Sequence, residues 1–214
     1  MIWYPCTVAT LSRRLRDVIE DYFDQTTDLG SSHPLIESRL HDFGYRGCTT
    51  PDQAVIGGSA HLLNFTGTDT MSAAYYTQAR ALLVLISEAD ASCDEQFHLN
   101  EGEPIGNSIP ATEHSVMMAW DSEKSAVLNM IERFGNGTFA CVLDSYDYTH
   151  ALEHLLPSIA KEKLKRGGFM VLRPDSGDPT DAILKVTPAA VTPRDVTSHA
   201  GTQSGGFGVW IARQ

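Results

Sequence analysis

Several features are scarce or absent. Nowhere in the 214 residues is there a run of about 18 continuous apolar residues, so no membrane span is expected. The four cysteines, Cys6, Cys48, Cys93 and Cys141, lie far apart without a C-x-x-C pair. That spacing argues against a disulfide framework or a thiolate metal site and for free thiols in a reducing compartment. Positive charge is short, with 16 Lys and Arg against 27 Asp and Glu and a formal net charge of -11. A dedicated nucleic-acid or anionic-membrane surface is therefore not expected, although a small basic pocket remains open. His41, His61 and His114 lack a compact ligand spacing such as H-E-x-x-H, so no metal ligands are expected among them. The opening residues lack the basic-then-apolar layout of a signal peptide, which makes the cytoplasm the expected location.

What is present is enough apolar sequence, 42%, to bury a substantial core in one or two domains. The organising stretch is His41-Asp42-Phe43-Gly44-Tyr45-Arg46-Gly47. It sets a carboxylate, an aromatic ring and a guanidinium between glycines, a poor recipe for core or helix. Glycine allows close backbone approach to a ligand, Phe can stack on a flat ring, and Arg can grip phosphate oxygens bidentately. Four comparable polar clusters follow: Thr66-Gly67-Thr68-Asp69-Thr70, residues 108–115 (SIPATEHS), Asp144-Ser145-Tyr146-Asp147 and residues 173–179 (RPDSGDP).

Residues 3–10, mixed aromatic and β-branched, read as a strand or entry segment, and Ser12 as the N-cap of a following helix. Pro51 and Asp52 open another helix. Residues 61–65 read as a strand, and residues 71–86 as an Ala- and Leu-rich helix. Residues 87–107 read as an atypical inserted loop. A helix with Ala126, Met130, Ile131 and Phe134 ends at Gly135, and residues 139–143 and 168–172 read as buried strands. Each polar cluster thus falls between a strand and a helix. Five such units imply parallel strands with right-handed crossovers, and the clusters would gather at the strand carboxyl ends. A parallel α/β barrel fits better than an open sheet with one switch point, but a barrel takes eight strands. The expected organisation is a partial barrel over residues 1–186 and a divergent, poorly ordered tail over 187–214.

Taken in order, WYPCTVAT, LHDFGYRG, NFTGTDT, SIPATEHS, DSYD and RPDSGDP resemble the nicotinamide phosphoribosyltransferase family over residues 3–186. The resemblance implies an incomplete type II phosphoribosyltransferase (TIM-like) α/β barrel. It also implies conversion of nicotinamide and phosphoribosyl pyrophosphate to nicotinamide mononucleotide and pyrophosphate in NAD salvage, by a homodimer. Phe43 would stack on the pyridine ring. Asp69 would accept the amide N–H of nicotinamide, with Ser108 as a further substrate-binding residue. Arg46 and Arg173 would hold the donor's phosphates. Asp175 would accept the ribose hydroxyls, and Asp144 would support either His114 or the ribose. His114 would be phosphorylated by ATP, and Mg²⁺ would accompany phosphoribosyl pyrophosphate. The start at Met1, the long 87–107 stretch and the unmatched tail are departures, so a central fragment of low stability is expected. Its Ser204-Gly205-Gly206-Phe207-Gly208 only weakly resembles a phosphate loop. A catalytically silent homologue, a nicotinate-type enzyme and an unrelated barrel aldolase or hydrolase are the competing readings.

Overall fold

The computed structural model describes residues 2–30, 32–85, 97–98, 104–190 and 206–209. The chain falls into two compact units, Met1–Ser108 and Ile109–Gln214.

The first unit opens with helix α1 (Trp3–Thr26). The expected strand over residues 3–10 is therefore helix, and Ser12 is buried inside it rather than capping it. The reason lies in the next turns. Arg13 pairs with Asp17 at 2.6 Å and Arg16 with Glu20 at 2.7 Å, both i,i+4 contacts that favour helix. The β-branched Thr7 is accommodated because its hydroxyl donates to the Trp3 carbonyl at 2.7 Å. Arg16 also reaches Glu37 at 2.5 Å and the Asn64 carbonyl, while its guanidinium lies over the Phe65 ring. Asn64 in turn donates to the Ser12 hydroxyl at 2.7 Å.

Helix α2 (Pro51–His61) begins as expected. Thr50 accepts from the Gln53 N–H, and Pro51 occupies the first turn, where its missing N–H costs nothing. Residues 61–65, expected as a strand, are the last residue of α2 and a turn, with the Asn64 and Phe65 N–H groups donating to the His61 carbonyl. A short apolar run fits a helix end as well as a strand. Helix α3 (Met71–Leu85) follows. Part of the expected 87–107 loop lies outside the described residues. Within it β1 (Phe97–His98) pairs antiparallel with β2 (Pro104–Gly106). Single parallel bridges join Asp42 to Thr68 and Gly67 to Asn107, so the segments carrying the first three clusters run side by side.

The second unit contains α4 (His114–Met118), α5 (Glu123–Phe134), β3 (Thr138–Val142) and α6 (Tyr148–His150). A π-turn (Ala151–Leu155) leads directly into α7 (Leu156–Arg166) as one helical run. Then come β4 (Phe169–Arg173), α8 (Pro179–Ala190) and β5 (Gly206–Val209). The sheet order is β3-β4-β5, all parallel. Residues 139–142 are buried without alternation, as a parallel strand covered on both faces must be. Ala126, Val127, Met130 and Ile131 of α5, capped by the Ser122 hydroxyl, pack on this sheet with Leu152, Leu155, Leu156 and Ile159. Within the tail, where no period is legible before Val209, Gly206–Val209 is a strand in register with β4.

The fold is α/β with parallel strands, as the alternation of elements predicts. Among the described residues no helix is long and apolar enough to cross a membrane.

Candidate active site

The polar clusters sit where strands or strand-like segments end, and each unit holds its own set. In the first unit the bridges fix the geometry. Asp42 N–H donates to the Gly67 carbonyl at 3.2 Å, and Asp69 N–H donates to the Asp42 carbonyl at 2.9 Å. Thr68 N–H donates to the Asn107 carbonyl at 2.9 Å. Asp69 and Ser108, 39 residues apart, therefore meet, and the Ser108 hydroxyl donates to Asp69 Oδ1 at 2.6 Å. Asp69 Oδ2 faces His41 Nδ1 at 3.6 Å. Oδ1 is held by Ser108, Oδ2 has no hydrogen-bond partner among the described residues, and the side chain stays 26% exposed, so the lone pairs of Oδ2 make it an acceptor.

Gly67 permits this approach. A Cβ there would lie 2.5 Å from His41 Cδ2, so only glycine brings the segment against the ring. His61 is buried, its Nε2 hydrogen-bonds with the Gly67 carbonyl at 3.0 Å, and its ring stacks on Phe65. Burial lowers the His61 pKa, against the smaller opposing pull of Asp42. His61 is thus a core histidine. Phe43 heads the 3₁₀ turn Gly44–Gly47 and is half-buried, while Arg46 is exposed within that turn. Asp42 Oδ1 accepts from Gly44 N–H at 2.8 Å and shapes the turn's entry.

In the second unit His114 is the first residue of α4, at the end of the segment bridged to β3 through Ala111 and Ala140. Its Nδ1 lies 3.0 Å from Ser145 Oγ, and its Nε2 lies 3.4 Å from Asp175 Oδ2 and 3.8 Å from Asp144 Oδ1. In the Nε2–H tautomer the ring would point its proton towards these two carboxylates and accept from the Ser145 hydroxyl at Nδ1. Asp144 and Asp175 follow the ends of neighbouring strands β3 and β4. Asp144 Oδ2 accepts from Asp175 N–H at 2.9 Å and from the Ser176 hydroxyl at 2.6 Å. The three residues expected to be catalytic, His114, Asp144 and Asp175, therefore come together from three separate segments.

Arg173 ends β4 with its side chain only 3% exposed, and Nη2 donates to Glu113 Oε2 at 3.0 Å and to the Thr112 carbonyl at 3.2 Å. Its guanidinium braces the His114 segment, so a phosphate reaching it would compete with Glu113. Thr112 is buried, and its hydroxyl accepts from Val142 N–H at 3.0 Å.

Glu113, His114 and Asp175 each offer a ligand atom, all within 4.8 Å of one another, the one such group among the described residues. Two carboxylates with an imidazole make a possible cation site that the histidine spacing does not disclose. Sequence reasoning also missed Ser145, Thr112, Glu123 and Tyr148. Ser145 sits inside the DSYD cluster, but Glu123 and Tyr148 lie on helix starts with no motif to mark them. Burial, with the nearby Asp144 charge, raises the pKa of Glu123 and pushes Tyr148 up to about 12.

The family model for the nicotinate phosphoribosyltransferase (NAPRTase) family matches residues 38–191. A nicotinamide phosphoribosyltransferase of Xanthomonas campestris pv. campestris is 37% identical over 188 residues, covering 85% of this chain and 36% of that protein. One of Mycoplasma genitalium is 30% identical over 179 residues, covering 83% and 33%. The chain spans about a third of the length of these curated relatives. The family match takes in every cluster described above, from His41 to Asp175, and on that ground the chain belongs to the nicotinate phosphoribosyltransferase (NAPRTase) family.

Proposed function

We propose that this chain carries active-site elements of a nicotinamide phosphoribosyltransferase, which joins nicotinamide to phosphoribosyl pyrophosphate and releases nicotinamide mononucleotide and pyrophosphate. The reading extends to an incomplete type II barrel and to cytoplasmic NAD salvage by a homodimer. The observation that carries it is Asp69, fixed through Oδ1 by Ser108 at 2.6 Å, with Oδ2 free of hydrogen bonds among the described residues and the side chain a quarter exposed. A carboxylate accepts the N–H of a carboxamide. Against the carboxylate of nicotinate it sets like charges together, at roughly 4 kcal/mol for a 4 Å separation near a protein surface. The chemistry of Asp69 therefore selects the amide, as the names of the curated relatives do for those proteins.

In this reading Phe43 stacks on the pyridine ring, and Arg46 holds donor phosphate. The pyridine nitrogen is already nucleophilic, so the site's task is electrostatic. Cationic character develops on the ribose as pyrophosphate leaves, and the carboxylates of Asp144 and Asp175 stabilise it. Mg²⁺ favours hard oxygen donors, so Glu113 and Asp175 would hold it, and there it would take up charge on the leaving pyrophosphate. His114, one-third exposed, is the residue proposed to accept phosphate from ATP.

The test is mononucleotide formation by the purified chain given nicotinamide, phosphoribosyl pyrophosphate, Mg²⁺ and ATP. The chain is expected to form product, and Asp69→Ala to lose nicotinamide use selectively, by about ten-fold or more. No product while a full-length relative turns over in parallel would refute activity for this chain. An unchanged amide preference in Asp69→Ala would remove the argument for nicotinamide.

A further inference from the structure

The helical run that follows the DSYD cluster carries two histidines that the proposed chemistry does not use. His150 ends α6, and His154 lies four residues on, in the π-turn, so both stand on one face of the run. Their rings lie face to face, with centroids 4.6 Å apart and planes 10° from parallel. Both residues are exposed, so the rings can turn without disturbing the core. Asp147, three residues before His150, accepts the His150 N–H on Oδ1 at 2.9 Å. Asp147 and Glu153, both exposed, place carboxylates within three residues of the rings.

Neutral imidazole is a common ligand of zinc, copper and nickel ions, and each ring offers it a lone pair. Metal–nitrogen bonds of about 2.0–2.1 Å set two ligand nitrogens about 3.4 Å apart in a tetrahedral site. Near-parallel rings with centroids 4.6 Å apart hold facing nitrogens at a comparable separation. A closure of about 1 Å at the outer ring edges therefore brings two nitrogens to chelating distance. Small χ1 and χ2 rotations, open to exposed side chains, supply it. The chelate would also straddle the π-turn, and single turns of this kind inside helices are frequent at functional sites.

We propose that His150 and His154 form a surface site for a divalent transition ion of the zinc and nickel class, built on residues other than Glu113, His114 and Asp175. The two rings supply adjacent nitrogen ligands and water completes the shell, while the carboxylates of Asp147 and Glu153 offset the ion's charge. Mg²⁺, which takes oxygen donors and keeps its water, is not bound there. The site does not depend on the phosphoribosyl chemistry proposed above, and its test requires no turnover.

The measurement is amide NMR of the ¹⁵N-labelled 214-residue chain at neutral pH, titrated with Co²⁺, a paramagnetic ion that accepts the same nitrogen ligands. Amides of residues 147–158 should shift or broaden as one set. His150→Gln and His154→Gln, each of which leaves a single ring, should weaken binding at this set by about ten-fold or more, at least what loss of an outer-shell partner costs. His114→Asn should leave the response of the set intact, and Mg²⁺ should not produce it. The proposal is overturned if millimolar Co²⁺ leaves residues 147–158 unmoved, which would make the stacked rings a surface contact only. It is equally overturned if the Gln variants, folded by their amide spectra, respond as the parent does, if His114→Asn abolishes the response, or if Mg²⁺ matches it. Should one Gln variant fail to fold, the other decides alone.

Discussion

Replacing Gly67 with Ala tests whether the first unit's site depends on a backbone pressed against a side chain. The new Cβ would meet His41 Cδ2, Nε2 and Cγ at 2.5, 2.7 and 2.9 Å, against an ordinary contact of about 3.4–4 Å. Neither partner can retreat freely. The His41 side chain is only 5% exposed, and the Gly67 carbonyl is held by Asp42 N–H at 3.2 Å and by His61 Nε2 at 3.0 Å. Overpacking of this kind costs about 1–3 kcal/mol, offset by about 0.4–1 kcal/mol because alanine restricts the unfolded chain. The net loss is about 1–2 kcal/mol, and at roughly 2–4 °C per kcal/mol the melting temperature should fall by about 2–8 °C. Gly47→Ala is the matched control, since a Cβ there meets nothing within 4 Å, and it should be neutral or slightly stabilising. Differential scanning calorimetry of the parent and both variants reads the effect. If Gly67→Ala melts at or above the parent, the ring is not held as described, and the positioning of His41 against Asp69 loses its basis.

Thr112→Val should destabilise the second unit by about 1–3 kcal/mol, because Val142 N–H would lose its 3.0 Å acceptor in a buried setting, whereas Thr112→Ser should restore most of it. Urea midpoints compare the two, and equal losses would mean that the methyl group matters rather than the hydroxyl. Alkaline pH should unfold the chain partly through Cys141, whose thiol burial pushes up to about 12. The folded thiol keeps its proton where the unfolded one loses it, so this contribution is complete below about pH 9 and fades as pH rises towards 12. At pH 11 the loss reaches about 2–3 kcal/mol, and Cys141→Val should remove it. Lys163, whose pKa burial lowers, works in the opposite direction, so the difference between parent and variant is the readout. Parallel stability curves from pH 8 to 11 would show that Cys141 does not titrate on unfolding.

The sequence by itself determined the parts whose causes are local. The β3 and β4 strands follow from short apolar runs entered from glycine-bearing turns, and the start of α2 follows from Thr50 and Pro51. The polar clusters were legible because residues that make a poor core recur after apolar lead-ins. Other assignments depended on distant partners. Residues 3–10 carry strand-forming side chains, yet they continue a helix fixed by Arg16, Glu37 and Asn64, up to 48 residues away. Residues 61–65 end a helix because the turn beyond it closes on His61.

The site divides in the same way. Phe43, Asp69, His114, Asp144 and Asp175 were singled out by the resemblance that their motifs carry, in clusters whose residue types are unusual for a core. That Ser108 locks Asp69 and that Glu113 occupies the Arg173 guanidinium was decided by tertiary structure alone. Hydrogen bonding and desolvation act over a few ångströms in space, and parallel pairing brings together residues that lie dozens of positions apart in the chain.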